Sequence, residues 1–311
     1  ALGLCMVCTW YAIYYLARDK AAQPLAFAFG GEADPVDYAR AVADGGLLAL
    51  MASLGLAQLS HETTPALAQL TSASLVFFGL AALAYRAVAP WLAVVLGLSG
   101  LVLSGAPAVA TLLALAGTLA CAMHPERALR RWALPLGVAA LATLLLGGAL
   151  GMLQWRVEFS PGNPADWRRT LRLLAWFVWP AWPLALWTLW RWRKQLVNRH
   201  LLLPLLLALV TVGSTLAGRA TDRALLLGLP AMAALAAFAL PTLKRSVASL
   251  IDWFTLLFFS ACALIIWVIW LANITGMPAK PAANVQRLVP GFQAEFSLAM
   301  LLIALCASLF W

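Results

Sequence analysis

Few side chains in this sequence can do chemistry, and they gather in four short polar stretches. Ser60-His61-Glu62-Thr63-Thr64 sets an imidazole beside a carboxylate, and either group can take a proton from a hydroxyl. The stretch 154–172 holds Arg156, Glu158, Asp166, Arg168 and Arg169. Gly218-Arg219-Ala220-Thr221-Asp222-Arg223 carries two more guanidinium groups, and 275–293 holds Lys280, Asn284, Gln286 and Arg287. Arginine presents a planar fork of donors that fits phosphate. A base next to phosphate-holding arginines suits transfer chemistry on an anionic headgroup. Each element also has a plainer reading. His61 and Glu62 fit a hydrogen-bonded turn, Arg219 and Arg223 fit side chains snorkelling to headgroups, and Arg168 and Arg169 fit the start of an amphipathic interfacial helix.

The elements that must position these residues are apolar. The chain has 311 residues, 64% of them hydrophobic and 11% charged, with mean hydropathy +0.89. Soluble domains carry roughly 25% charged residues, so a soluble enzyme, a coiled coil, a disulfide scaffold and a disordered chain all fit poorly. Long unbroken Leu/Ala runs also differ from the short alternating segments of a β-barrel. The expected fold is all-α: a polytopic integral membrane protein with about 10–11 transmembrane helices in a single domain over 1–311. Hydrophobic runs and breakers place the spans near 1–17, 41–59, 64–85, 87–104, 106–123, 133–153, 171–190, 201–217, 224–243, 251–274 and 294–311. Residues 1–16 already read as a span without a signal-peptide pattern, so the natural N-terminus is expected further upstream.

Alternating the loops between these spans gives an orientation. One side receives Arg18, Lys20, Arg40, Arg86, Arg127, Arg130, Arg131, Arg191, Arg193, Lys194, Arg199, Lys244 and Arg245. These are 13 of the 21 basic residues, and the positive-inside rule turns them to the cytoplasm. The net charge of +9 thus reads as topology, with anionic lipid or phosphate as a second use and no nucleic-acid partner. The four polar stretches fall on the outer side. Phe29-Gly30-Gly31-Glu32-Ala33-Asp34-Pro35 lies inside and reads as a turn into a helix starting at Pro35, not as a metal site. The span interiors hold almost no ionisable residues, and Asp252 sits near the inner end of its span. Cys5, Cys8, Cys121, Cys262 and Cys306 all fall in apolar runs and read as small core residues.

Trp176, Trp179, Trp187 and Trp190 repeat at helical spacing. They fit an interfacial aromatic belt or a stacking surface for a sugar or isoprenoid chain. Gly147-Gly148-Ala149-Leu150-Gly151 has the small-xxx-small spacing of close helix pairs. No internal repeat of the kind found in secondary transporters is visible.

The order of these features resembles the C-type membrane glycosyltransferases of bacteria, the group that includes the aminoarabinose lipid A transferases and protein O-mannosyltransferases. Residues 47–86, with the Ser60–Thr64 turn, are similar to that family's third and fourth core helices. Residues 91–131 look like its Leu-rich hairpin, and 172–192, with Trp179-Pro180 and Trp182-Pro183, resemble its Pro-Trp-rich helix. In 218–240, Arg223 precedes Leu229-Pro230 as a basic residue precedes a Leu-Pro turn in the family, and 244–292 looks like the tail of such transferases. Two departures stand out. The family's Asp-Glu pair on a first outer loop has no counterpart here, which implies a missing N-terminal part. The hairpin's Lys-Gly step is replaced by Leu103-Ser104-Gly105-Ala106-Pro107.

The resemblance implies transfer of a sugar from a polyprenyl-phosphate donor to a lipid A, glycan or protein acceptor on the periplasmic side of the bacterial inner membrane. Arg219 and Arg223, with Arg168 and Arg169 behind them, would hold the phosphate. His61 and Glu62 would support the reaction, the main acidic pair belonging to the missing segment. Membrane lipids are the other expected partners. No cofactor is required outright, a divalent metal is compatible with the chemistry, and no metal-ligand set is visible. A transporter or flippase for a lipid-linked molecule, and a non-catalytic membrane subunit, are the competing readings.

Overall fold

A computed structural model describes residues 1–23, 34–59, 64–152, 164–217 and 225–310. They form α1 (Leu2–Ala17), α2 (Pro35–Met51), α3 (Leu54–Leu59), α4 (Pro65–Ala82), α5 (Val88–Leu103), α6 (Pro107–Ala122), α7 (Arg127–Arg130), α8 (Ala133–Ala149), α9 (Pro164–Phe177), α10 (Ala181–Arg191), α11 (Arg199–Ala217), α12 (Leu229–Ala237), α13 (Arg245–Thr275), α14 (Ala279–Leu288) and α15 (Leu298–Phe310). The protein is all-α, as expected, and its candidate spans make it a multi-pass membrane protein. The chain divides into two compact units, Ala1–Leu243 and Lys244–Trp311.

Every expected span contains a helix, but fewer are full-length. Pro65–Ala82, Arg127–Ala149 and Ser246–Thr275 are long and apolar enough to cross a bilayer. Leu171–Phe177 with Ala181–Arg191 makes a fourth if that pair, bent by 98°, is one span. The shorter apolar helices, such as α1, α5 and α6, have 16 residues each. That length is about 24 Å, against a hydrocarbon core of about 30 Å. Two expected spans are interrupted. Residues 41–59 break between α2 and α3, where Ser53 Oγ turns back to the Ala49 carbonyl at 2.8 Å. Residues 171–190 break between α9 and α10, where Pro180 supplies no backbone donor.

Helix starts follow local chemistry. Pro35, Pro65 and Pro107 each occupy a first-turn position of their helix, where a missing N–H costs nothing. Asp34 caps α2 by accepting the Val36 N–H at 2.7 Å, so the helix begins at Pro35 as the sequence predicts. Gly147 is buried on the face of α8 that also carries Thr143, and the Gly147-to-Gly151 stretch also ends the helix. Met152 N–H bonds Gly147 O at 2.9 Å, Gly151 N–H bonds Gly148 O at 3.0 Å, and Gly151 has φ +65°. This left-handed glycine cap ends α8, and a Cβ on Gly151 would meet nothing within 4 Å.

In the first unit, Ile13, Leu16, Leu70, Phe77, Leu101, Leu113 and Phe238 are fully buried. Most interhelical polar groups find partners inside the bundle, as a bilayer demands. Cys5 Sγ meets Ser74 Oγ at 3.1 Å between α1 and α4, and Thr111 meets Thr143 at 3.1 Å between α6 and α8. Gln69 of α4 donates to Ser104 O at 2.8 Å beside the end of α5. Cys5, Cys8 and Cys121 are buried as expected, but Cys262 is half-buried and Cys306 exposed, because α13 and α15 turn much of their apolar surface outward.

Thr188 of α10 makes the shortest of these links, donating to Leu235 O in the last turn of α12 at 2.7 Å from a fully buried position. Carbonyls in a last turn lack helical partners. Thr188→Val keeps the shape and removes the donor, and should destabilise the detergent-solubilised protein by about 1–3 kcal/mol. Thr188→Ser should recover most of the loss in a thermal or denaturant melt. Equal melts for the valine variant and the native protein would show that the bond carries no weight.

The second unit is built on the 31-residue α13, which Gly276 ends at φ +76°. Trp267 of α13 donates to Ser308 of α15 at 3.1 Å. The amphipathic α14 lies between them in sequence and holds no buried residue.

Candidate functional site

The connectivity of the first unit gives its bundle two ends. One, the basic end, gathers the C-terminal ends of α1, α4, α6 and α10 and the N-terminal ends of α2, α5, α8 and α11, with the basic turns between them. The opposite end carries the flanks of the polar stretches on which the sequence places the site.

His61, Glu62, Arg219 and Arg223 lie outside the described residues, and so does the side chain of Arg169. Arg168 is described, and it is exposed on α9. Arg172 is exposed one turn further on, and a separation of four puts the two on one helical face. The other face is apolar: Phe177 is buried, and Leu173 and Leu174 pack on the core. This is the amphipathic helix start that the sequence predicts around Arg168.

Its placement follows from the corner after it. The Trp182 indole N–H donates back across the bend to Ala175 O at 3.0 Å. Leu54 N–H donates to Trp179 O at 3.0 Å. That bond ties the corner to α3, which packs on α9 and whose Gly55 leaves room for the Phe177 ring. Leu54–Leu59, which leads into the Ser60–Thr64 stretch, therefore lies against the helix bearing Arg168 and Arg172. Because the bend is 98°, α9 runs across the end of the bundle when α10 runs along it.

The same corner corrects the tryptophan stripe. Trp176 stands on α9, Trp179 in the bend, and Trp187 and Trp190 on α10, so they share no single helical face. Trp187 and Trp190 pair with ring centroids 5.2 Å apart, and Trp179 lies 6.4 Å from Trp182. All four of the stripe are exposed, as rings of an interfacial belt would be.

The basic end holds a cluster whose members read from the sequence only as topology. Arg199, expected in an exposed loop, opens α11 and is 8% exposed. Its Nη2 donates to the carbonyl oxygens of Leu80, at 3.2 Å, and Ala81. Those carbonyls belong to the last turn of α4, which lacks helical partners for them and carries the negative end of the helix dipole.

Around Arg199 stand Tyr85, His124 and Cys121. Burial and the nearby Arg199 charge hold the His124 pKa below the usual histidine value. His124 Nδ1 accepts the Glu126 N–H at 3.1 Å. Arg18 lies over the rings of Tyr14 and Tyr85, at 5.7 and 5.3 Å from their centroids. Next to Arg199 in sequence, His200 is fully buried against Trp192 and Phe238. Neither His200 ring nitrogen nor the Trp192 indole nitrogen has a partner among the described residues. The signal in the sequence is Asn198-Arg199-His200 abutting an apolar run with no spacer.

No group of three or more His, Cys, Asp and Glu side chains that could hold a metal occurs among the described residues. The one ion pair among them is Arg40 with Asp37 at 3.1 Å, exposed on both sides. Comparison of the chain with protein-family models, with characterised proteins and with solved structures finds no match.

Proposed function

We propose that the protein is a membrane glycosyltransferase that moves a sugar from a polyprenyl-phosphate donor to an acceptor at the end of the bundle opposite the basic turns. The observation that carries this reading is the crossing helix α9. It offers Arg168 and Arg172 on its exposed face, buries Phe177 beneath them, and packs on α3, which precedes His61 and Glu62 in the chain. An amphipathic helix of this kind rests at the headgroup level, where a lipid phosphate sits while its chain stays among apolar helices. The positive-inside rule turns the basic end to the cytoplasm, which leaves α9 on the periplasmic side of a bacterial inner membrane.

In such a transfer the acceptor oxygen bonds to the anomeric carbon, and the bond from that carbon to the phosphate oxygen breaks. The phosphate leaves with the electron pair. The acceptor proton passes to a base, the role open to His61 or Glu62. Arginines stabilise the charge that develops on the phosphate.

The test is a donor-consumption assay in liposomes, using the full-length gene product, a radiolabelled polyprenyl-phosphate sugar and a membrane extract as acceptor. Label should pass to an acceptor. Arg168→Ala/Arg172→Ala should raise KM for the donor about tenfold while kcat changes less, because these side chains bind the headgroup before and during reaction alike. No transfer from any donor tried, by protein shown to be folded, would overturn the proposal.

A further inference from the structure

The basic end holds a second cluster of polar groups, separate from the proposed transferase site and independent of it. A small cleft opens there between α4, α6, α7 and α11, lined by Leu80, Cys121, His124, Leu129 and Arg199 among others, with room for roughly one water-sized group. Arg199 is 92% buried by its 8% exposure, yet no carboxylate among the described residues reaches it as an ion pair. Asp19 and Glu126 act on it only through space. A guanidinium has five N–H donors, and the two bonds it makes within the described structure both come from Nη2. A charge so deep in an apolar bundle calls for a counter-charge, and the cleft is where one can approach it.

The rest of the lining agrees with a negative guest. His124 uses Nδ1 as an acceptor, so the neutral ring carries its proton on Nε2 and presents a donor. The wall residue Leu129 belongs to α7, whose Arg127 and Arg130, with Arg131 just after, are exposed. Those cations draw anions toward the mouth. The 19-residue α11 begins at Arg199, so its positive dipole end lies at the same place. Glu126 is exposed and is tied at its backbone, leaving the neighbourhood with more cations than anions.

We infer that this cleft admits one oxygen of a phosphate group between Arg199 and His124, the remainder of the group staying outside among the arginines of the α7 turn. An anionic phospholipid headgroup and free inorganic phosphate share this chemistry.

The experiment titrates the purified full chain in a neutral maltoside with phosphatidylglycerol, with phosphatidylcholine, and with inorganic phosphate. Bound ligand is counted by native mass spectrometry and affinity is read from the thermal shift. The native chain should bind one phosphate-bearing molecule saturably. His124→Ala, at a half-buried position outside the helices, should weaken binding about tenfold, and Arg199→Gln should abolish it. Leu129→Phe, which fills the cleft and leaves every charge in place, should also abolish it.

Saturation by phosphatidylglycerol with no response to phosphatidylcholine or inorganic phosphate identifies a lipid headgroup, whereas saturation by inorganic phosphate identifies the free ion. If Arg199→Gln does not fold, His124→Ala and Leu129→Phe decide. Absence of saturable binding to the native chain, or the same affinity in the native chain and in those two variants, overturns the inference.

Discussion

Replacing Gly79 with alanine is expected to destabilise the first unit by about 3 kcal/mol, toward the upper end for overpacked cores. The decisive obstruction is backbone, beside the Val94 and Val76 side chains, whose Cγ2 atoms would lie at 2.6 and 2.8 Å from Cβ atoms added at Gly79 and Gly97. A Cβ on Gly79 of α4 would lie 2.6 Å from Pro90 O and 3.0 Å from Val94 N of α5. The contact is reciprocal: a Cβ on Gly97 of α5 would lie 2.6 Å from Ser72 O and 2.9 Å from Val76 N of α4. A carbonyl oxygen at either distance cannot rotate away, so the two helices must separate along their length. Separation would also pull Gln69 from Ser104 O and open the packing around the buried Phe77 and Leu101.

Gly97→Ala should cost a similar amount. The double variant should cost less than the sum, since one separation relieves both clashes. Gly213→Ala is the control. It lies within α11 with nothing within 4 Å of an added Cβ, and should be neutral or stabilising by up to about 1 kcal/mol from helix propensity. Denaturant or thermal unfolding in detergent reads all four. A Gly79→Ala melt matching that of Gly213→Ala would show that the two backbones do not approach as described.

These two glycines show where the sequence is legible and where it is not. Each helix is announced by its own apolar run, and a run is local information. Pro35, Pro65 and Pro107 mark starts because φ and the missing donor are local as well. Gly79 and Gly97 are 18 residues apart on different helices, so no local spacing links them, whereas Gly151, at small-xxx-small spacing from Gly147, caps the end of α8. Breaks are legible only when their cause outweighs the run. Trp179-Pro180 stands inside a strong apolar stretch and reads as part of one span, although a proline mid-helix removes a hydrogen bond. Arg199 shows a third limit. Its charge is visible in the sequence, but its depth depends on α4 ending beside α11, a long-range fact. For the candidate site, the amphipathic character of α9 is legible from Arg168, Arg172 and the leucines beside them. Its crossing of the bundle end is not, because that follows from the corner.

The crossing helix also sets the expectation with the largest effect on activity. If the protein is the transferase proposed above, Arg219→Ala/Arg223→Ala should lower its kcat by about 10²–10³, with a smaller change in KM. The argument rests on when charge appears. In the donor, the phosphate diester carries one negative charge spread over its free oxygens. As the bond to the anomeric carbon breaks, charge grows on the bridging oxygen, and a donor aimed there gains strength in the transition state alone. In the proposed transfer, Arg168 and Arg172, on the exposed face of α9, would meet a headgroup whose charge is already present, so their loss should fall on KM.

Residues 219 and 223 follow α11, whose buried Thr211 and Thr215 anchor its last turns to their own backbone, and precede the fully buried Leu226 and Leu229. Packed flanks on both sides of this stretch suit positioning that must be kept through the reaction. Single-turnover kinetics with labelled donor separates the two effects. A double variant that raises KM and leaves kcat intact would move Arg219 and Arg223 to the headgroup-binding role of α9. Conservative Arg→Lys changes should rescue binding more than rate, since lysine keeps the charge but loses the planar fork.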